Sequence, residues 1–402
     1  MTIPRPSRLH LDTLVAVLGV VLVAMNTRTA VGGLSPIYDI INSDVALGID
    51  ARAVLGSLPP IAYVIGGLIT PRITRLVGLE WNLVILLSLM TVGHVVRSAA
   101  TDWFTIVAGS ALVLIGSGMG NVSLPPVVKR YFPNAIGAMS SAYMTFVAIG
   151  SIVPALIAVP LSLGTSWRIA LGAWVFLSLG ALIPWLIEIR RGHRSTDTPI
   201  PQIRGERLRV HRSPTAWAIA TTLVVSSTTG YGMFAWLPDI AKESALMNQA
   251  EGGLILALFA GAGLPVALGI PLLAAKIPNI SALVFVGSGL TITGALGFAL
   301  APTVAPYLWA VVLGSGTLLF PLALVLINLR TASSGASLQV SAFAQFIAYS
   351  VSAVVVPLMG FSRAETGSWQ LALVGIAIIG LAAMWSGTVL ARNRTVESEL
   401  AS

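Results

Sequence analysis

The chain has 402 residues, of which 56% are apolar and 9% charged, with no Cys and a net charge of +8. Soluble domains carry about 25% charged residues. An ordinary water-soluble enzyme, a disordered chain and a disulfide-built secreted domain are therefore excluded, and the lack of Cys removes thiolate metal sites. The 39 Gly and 23 Pro suit a polytopic membrane protein, where both residues are commoner than in soluble helices.

A membrane-crossing helix needs about 20 mainly apolar residues. On that criterion the sequence predicts an all-α membrane protein of twelve transmembrane helices: 12–41, 51–71, 80–98, 103–131, 134–162, 167–190, 214–240, 249–275, 279–300, 305–330, 334–361 and 367–391. The first segment follows Arg5 and Arg8 but reads as a span, not a cleaved leader. No small-x-small site follows Met25, and the apolar pattern resumes beyond Arg28. With an even number of spans both termini share a side, and the Lys/Arg bias selects it. Seventeen of the 23 basic residues fall on the side of the termini; Arg52, Arg97, Arg168, Lys242 and Arg363 fall on the other, and Arg28 lies within a span. Both termini are therefore expected in the cytoplasm. The positive charge is a topology signal, and no nucleic acid is needed to explain it.

Four pairs of stretches recur in order, offset by about half the chain: Pro36-Ile37-Tyr38-Asp39-Ile40 with Trp236-Leu237-Pro238-Asp239-Ile240, Gly116-Ser117-Gly118 with Gly314-Ser315-Gly316, Ala158-Val159-Pro160-Leu161 with Val355-Val356-Pro357-Leu358, and Ser166-Trp167-Arg168 with Ser368-Trp369-Gln370. Between the two sets lies the longest polar stretch, Arg190 to Arg212, with its clustered Arg. The organisation expected is a six-helix bundle at 1–190, a basic cytoplasmic linker at 191–213 and a second six-helix bundle at 214–402. The linker orients the chain, and its Arg could also meet anionic lipid headgroups. Parallel repeats of this kind hold a ligand site near the midplane between them, which points to a transporter.

A charge at bilayer depth is a functional hypothesis by default. Arg28 stands near the middle of segment one, too deep to snorkel, beside Asn26. No Asp or Glu lies at its depth, since Asp12, Asp39, Asp102, Glu188 and Asp239 all fall near span ends. Either backbone carbonyls neutralise it, or the missing counter-charge is the substrate, held as an Arg fork holds planar oxyanions. The same lack of midplane carboxylates weighs against proton-driven export of cationic drugs. His94, toward the far end of segment three, reads as a packed or hydrated imidazole and not as a proton relay.

In segment four, Gly116 and Gly120 bare one helix face for close packing. Pro125 and Pro126 free the carbonyls of Asn121 and Val122, so Asn121 is expected on a locally broken helix that lines a cavity. Tyr63, Tyr143, Gln345 and Tyr349 are polar groups within spans, expected toward the bundle interior as ligand contacts or inter-helix ties. Trp81, Trp103, Trp167 and Trp369 fall near span ends, as in an interfacial belt, and Trp236 is a candidate cap over the cavity.

Two stretches carry a family resemblance: Asn26-Thr27-Arg28-Thr29-Ala30-Val31-Gly32, and Gly120-Asn121-Val122-Ser123-Leu124-Pro125-Pro126 running on to Lys129-Arg130-Tyr131-Phe132-Pro133. Ala235-Trp236-Leu237-Pro238 and Ala344-Gln345 with Tyr349 support them. Across nearly the whole chain the sequence resembles the major facilitator superfamily, and more narrowly its cyanate/2-nitroimidazole transporter (CynX/NimT) family. That family usually has Asn-Leu-Arg-Pro in segment one, so Thr27 and Thr29 depart from it. The superfamily's Gly-x-x-x-Asp-Arg-x-Gly-Arg loop reads Gly67-Leu68-Ile69-Thr70-Pro71-Arg72 here. Pro71 replaces the latching Asp, which leaves Arg72 and Arg75, with Lys129 and Arg130, as candidate gating residues. The resemblance implies a small anionic or polar nitrogen-containing substrate, moved across the cell membrane by rocking of two halves; it fixes neither the direction of transport nor the coupling ion, for which protons are a candidate. A drug or nitroaromatic exporter of neutral compounds is the alternative. No His-Glu-x-x-His, Gly-x-Ser-x-Gly or P-loop is present, and no catalytic acid pair shares one depth, so an enzyme is not expected. A channel suits the twofold repeat less well than alternating access does. No cofactor or metal is expected. The partners are a small-molecule substrate and membrane lipids, and the chain is expected to act as a monomer.

Overall fold

The computed structural model describes residues 8–132, 134–191, 208–274, 281–332 and 334–400. These form α1 (Arg8–Gly32), α2 (Tyr38–Asn42), α3 (Ile49–Val77), α4 (Leu79–Ser98), α5 (Trp103–Tyr131), α6 (Ile136–Gly164), α7 (Trp167–Gly172), α8 (Trp174–Arg190), α9 (Pro214–Ser244), α10 (Gln249–Ala274), α11 (Ser281–Leu300), α12 (Pro306–Gly316), α13 (Leu319–Leu329), α14 (Ser334–Thr366), α15 (Gln370–Leu390) and α16 (Val396–Leu400). No strand occurs among the described residues. Most of the expected linker, 192–207, lies outside them.

Each of the twelve apolar segments is carried by helix, and among the described residues ten helices are long and apolar enough to cross a membrane. α9 is not among the ten, because Ser226-Ser227-Thr228-Thr229 interrupts its apolar run. Local chemistry sets the ends. Asp102 accepts the Thr105 backbone N–H at 2.9 Å to open α5. Ser213 caps α9, with Pro214 in the first turn, where a missing N–H costs nothing. Gly78, at φ 90°, turns α3 into α4 in one residue, a conformation that residues with a Cβ avoid.

Helix pairing recurs in order along the chain. α1 packs on α6 and α8, α3 on α5, and α4 on α5 and α8. In the second half α9 packs on α14 and α15, α10 on α12, and α11 on α12 and α15. Across the halves, α3 meets α14 and α9, and α6 meets α10. The repeated Gly-Ser-Gly triplets are wedges between neighbours. A Cβ on Gly118 would lie 2.8 Å from the Tyr63 Cα of α3, and one on Gly116 would lie 2.8 Å from the Leu86 carbonyl oxygen of α4. The second triplet does the same between α10 and α11, against Phe259 and Thr291.

Several sequence expectations need correcting. α3 runs through Pro71 to Val77, so the loop expected at Pro71 is helical; Pro71, Arg72 and Arg75 are exposed on its last turns. Arg97 does not face solvent. It is buried beside His94, with its Nε and Nη1 unpaired and its Nη2 donating to the Leu171 carbonyl at 3.5 Å. Trp167 and Trp369 are buried and hydrogen-bonded, and so do not belong to an interfacial belt.

Candidate functional site

The segment expected to break, α5, is one unbroken helix through Pro125 and Pro126. Breaks lie instead in segment six, at Ala173 between α7 and α8, and in segment ten, where α12 stops at Gly316 and α13 starts at Leu319. There the backbone tightens to i→i+3 bonds, Thr317 N–H to Gly314 at 3.1 Å and Leu318 N–H to Ser315 at 3.1 Å. The Thr317 hydroxyl donates to the Gly314 carbonyl at 2.6 Å, and the Thr317 carbonyl accepts from the Ser226 hydroxyl of α9 at 3.2 Å. Non-helical backbone at membrane depth is tolerated where it lines a cavity, and Thr317 does so.

That cavity, of about 200 Å³, lies between the halves, with Arg28 in its lining. Met144, Val147 and Ser151 of α6 form one wall; Ser226, Ser227, Tyr231 and Phe234 of α9, Phe259 of α10, and Thr317 and Phe320 form the other. One cationic group, several hydroxyls and aromatic walls therefore face a space sized for a small molecule. Close packing of α1 on α6 holds Arg28 in place. A Cβ on Gly150 would lie 2.3 Å from the Met25 carbonyl oxygen, and one on Gly32 would lie 2.4 Å from that of Ser151.

Arg28 donates through Nη1 to the Tyr63 hydroxyl at 3.3 Å, and its guanidinium lies 5.4 Å from the Tyr63 ring centre. The Tyr63 hydroxyl in turn donates to the Thr27 carbonyl at 3.2 Å. Tyr231 lines the cavity beside Arg28. Tyr63, Tyr231 and Tyr349 stack edge-to-face on one another, with ring centres 5.9, 6.1 and 6.2 Å apart. Such pairs add about 0.5–1.5 kcal/mol each beyond burial. The triad takes one ring from α3 and two from the other half, on α9 and α14. No acid pairs with Arg28 among the described residues.

The structure thus brings together Arg28, Tyr63 and Tyr349 from the expected set, and adds Tyr231. Other candidates lie elsewhere. Asn26 is fully buried against α8: it donates to the Leu22 and Leu177 carbonyls at 2.8 and 3.3 Å and accepts from the Ser178 hydroxyl at 2.7 Å. Trp236 is fully buried in the second half. It donates to the Val356 carbonyl at 2.8 Å with its ring 5.3 Å from Trp369, so it is packing and not a cap. Tyr143 is buried on α6, one turn from Val147. Gln345 is half-buried and donates to the Ser341 hydroxyl of its own helix at 2.8 Å. Asn121 is half-buried on α5, and its side chain makes no hydrogen bond to another described residue.

At the termini end, Arg72 and Arg75 donate to carbonyls of their own helix, Leu68 at 2.9 Å and Pro71 at 3.2 Å. Arg130 pairs within its half with buried Glu80 at 3.4 Å. The Lys129 side chain lies outside the described residues. The polar ties between halves lie at the far end. Arg52 spans Asp39 at 2.8 Å in its own half and Asp239 at 3.2 Å in the other. Lys242 returns to Asp39, the Ser35 hydroxyl donates to the Phe234 carbonyl at 2.5 Å, and Gln249 donates to the Pro36 carbonyl at 3.3 Å. The far end is thus closed by charge.

Residues 16–357 match the family model described as Major Facilitator Superfamily. The chain is 28% identical over 390 residues to the 2-nitroimidazole transporter of Escherichia coli (strain K12), covering 96% of this chain and 97% of that protein. It is 25% identical over 380 residues to the cyanate transport protein of the same organism, covering 90% and 95% of the two chains. An uncharacterized transporter of Bacillus subtilis (strain 168) is 25% identical over 392 residues, 96% of each chain. Among solved structures, a bacterial homolog of the human lysosomal transporter Spinster superposes with a TM-score of 0.66 at 14% identity, covering 98% of this chain and 95% of that one.

Proposed function

The chain belongs to the major facilitator superfamily, a multi-pass membrane transporter and not an enzyme, and from that premise we propose that it moves a small anionic or acceptor-rich nitrogen compound across the cell membrane by alternating access, with Arg28 as the substrate clamp. The observation that carries this reading is a guanidinium in the lining of a cavity between the halves, with phenols and, among the described residues, no carboxylate around it. An unpaired buried charge is costly, and removal of one partner from a buried pair costs about 3–5 kcal/mol. A planar acceptor would supply the missing partner. Cyanate, carboxylates and a nitro group all offer oxygen or nitrogen lone pairs to a guanidinium fork. The relatives named for 2-nitroimidazole and cyanate fall in this range.

The two halves are the moving bodies in this proposal, and 191–213 links them. With the termini in the cytoplasm, the charged closure around Arg52 is on the outside. The alternative, export of a neutral nitroaromatic, draws support from the Phe234, Phe259 and Phe320 walls, on which an aromatic ring would pack. Both readings use Arg28, because a nitro group presents two planar oxygens much as a carboxylate does.

The test is reconstitution in liposomes, with a melting-temperature screen against cyanate, nitrate, monocarboxylates and 2-nitroimidazole. A ligand that binds the folded state raises apparent stability according to its occupancy. Hydrogen bonds to charged groups are worth about 1.5–3 kcal/mol, so Arg28→Ala should lower affinity about tenfold to a hundredfold. Arg28→Lys keeps the charge but loses the fork, and should impair binding as well. Unchanged uptake by Arg28→Ala would sink the clamp.

A further inference from the structure

A second cavity, of about 330 Å³, opens at the far end of the second half and shares no lining residue with the one around Arg28. Its volume falls in the range of small-molecule sites, about 300–1,000 Å³. It lies where α9, α11 and α14 end and α15 begins. Glu243, Ser244, Arg363 and Ser368 supply its polar lining, and the buried side chains of Phe298 and Leu373 complete it. The ion pair in this lining is only half engaged. Glu243 Oε2 accepts from Arg363 Nε at 2.5 Å and from the Trp369 indole N–H at 2.8 Å. Glu243 Oε1 and both Arg363 Nη atoms have no hydrogen-bond partner among the described residues. The first half builds the matching tie differently. There the guanidinium is that of Arg168, next to the Trp, and its two Nη atoms donate to Asp44 at 2.7 Å and to the Ala100 carbonyl at 3.2 Å. Gln370 holds that place in the second half and donates to the Ala299 carbonyl at 3.2 Å. The carbonyl is thus satisfied without a cation, and the Arg363 fork stays open to the cavity.

We propose that this cavity binds a small zwitterion, a primary ammonium and an oxyanion on one short frame, with the oxyanion on the Arg363 fork and the ammonium on Glu243 Oε1. A guanidinium takes a carboxylate or phosphate through paired N–H donors, and an ammonium brings three donors for the carboxylate and the Ser hydroxyls. Charge decides the class of ligand. A simple anion would meet Glu243 beside Arg363, and a simple cation would meet Arg363 beside Glu243, so only a ligand with both charges is matched. The open edges belong to one ion pair, so the ligand's charges must lie close together. That suits an amino acid and a phosphoethanolamine group alike. The latter exists both as a free solute and as a lipid headgroup, and Leu300, exposed at the cavity, offers acyl chains an apolar surface.

The experiment uses the full chain, purified in detergent and freed of lipid, with binding read by isothermal titration calorimetry. The probes are alanine, glycerophosphoethanolamine and glycerophosphocholine in solution, and phosphatidylethanolamine and phosphatidylcholine in mixed micelles. A primary-ammonium probe should bind about threefold to tenfold more tightly than its trimethylated counterpart, which has no N–H to donate. Binding of alanine or glycerophosphoethanolamine identifies a free solute as the ligand, and binding of phosphatidylethanolamine alone identifies a lipid. Glu243→Gln and Arg363→Gln should each weaken binding by a similar factor, held to this range because the pair is partly exposed. Asp44→Asn, at the matching tie of the first half, and Arg28→Ala should leave it unchanged. The proposal is overturned if no primary-ammonium probe binds, if the trimethylated probes bind equally well, or if both Gln variants keep full affinity. Should the Gln variants fail to fold, Ser244→Trp, which fills the cavity from its lining, must abolish binding, and binding that survives it overturns the proposal too.

Discussion

The two halves agree at their far ends and differ in the middle. In the first, Trp167 opens α7 and donates its indole N–H to Asp44 at 2.9 Å, with Arg168 on the same carboxylate at 2.7 Å. In the second, Trp369 stands just before α15 and donates to Glu243 at 2.8 Å, with Arg363 on that carboxylate at 2.5 Å. The same device, an acid after the first span tied to a Trp at the start of the last, holds each bundle at that end. At mid-depth the correspondence fails. Alignment of Pro36–Ile40 with Trp236–Ile240 places Thr228 opposite Arg28, and Thr228 shares a 3.1 Å hydrogen bond with Ser352 inside its own half. The frame is duplicated and the charge is not. A second guanidinium facing the first would add another buried charge without a partner, while one leaves the other half free to offer hydroxyls and rings.

The largest effect that could break this comparison comes from the glycine wedges. Gly118→Leu would drive a side chain into the backbone of α3 at Tyr63, and Gly316→Leu would do the same to α11 at Thr291, 2.9 Å from its backbone nitrogen. Overpacking of a tight core costs about 1–3 kcal/mol and more where backbone must move. Both variants should fail to give monodisperse protein in size-exclusion chromatography. Gly289→Leu, with nothing near its Cβ, should elute normally. Survival of one wedge variant alone would mean that the halves do not share a frame.

A smaller effect separates the two Asn residues that looked equivalent in the sequence. Asn26→Ala removes hydrogen bonds to the Leu177 carbonyl and from the Ser178 hydroxyl in a buried seam, a loss of about 1–3 kcal/mol, read as a lower melting temperature. Asn121→Ala removes no described hydrogen bond and should keep the melting temperature. Any effect on substrate affinity would mark Asn121 as a ligand contact in another conformation.

Much of the frame was legible because apolar runs of about 20 residues leave few choices, and Arg28 was legible because a lone mid-span charge stands out. What sequence could not supply is which face of a helix meets which neighbour. Asn26 and Arg28 are two residues apart, about 200° round the helix, so one turns to α8 when the other turns to the cavity. Tyr231 escaped notice between Gly230 and Gly232, beside a Ser/Thr run that reads as packing; a polar ring flanked by two Gly on a weakly apolar span was the signal available. Pro125 and Pro126 misled because a Pro removes one hydrogen bond without forcing a helix to end. The break at Gly316–Leu318 depends on Ser226 of another helix, which no local pattern reveals. Arg97 counted as an outward charge because its place near a span end was visible, while its burial against α7 was not.

The smallest expected effect tests the shared device directly. Asp44→Asn and Glu243→Gln each keep an acceptor for the indole N–H but lose the charge that pairs with Arg168 or Arg363. Exposed ion pairs contribute little, so both should lower the melting temperature by less than Asn26→Ala does, and by similar amounts. The pH dependence has a definite sign for the first half. The Trp167 N–H, and then the Arg168 guanidinium, hold the Asp44 carboxyl below the usual carboxylate range. Its contribution is therefore complete above about pH 4 and is lost only as the pH falls through that lowered value. Between pH 8 and pH 5 the difference in melting temperature between Asp44→Asn and the parent should stay constant, and it should shrink only under stronger acid. A difference that already changes between pH 7 and pH 5 would place the titration elsewhere. The tie at the far end of the first half would then not be the counterpart of the one at Glu243.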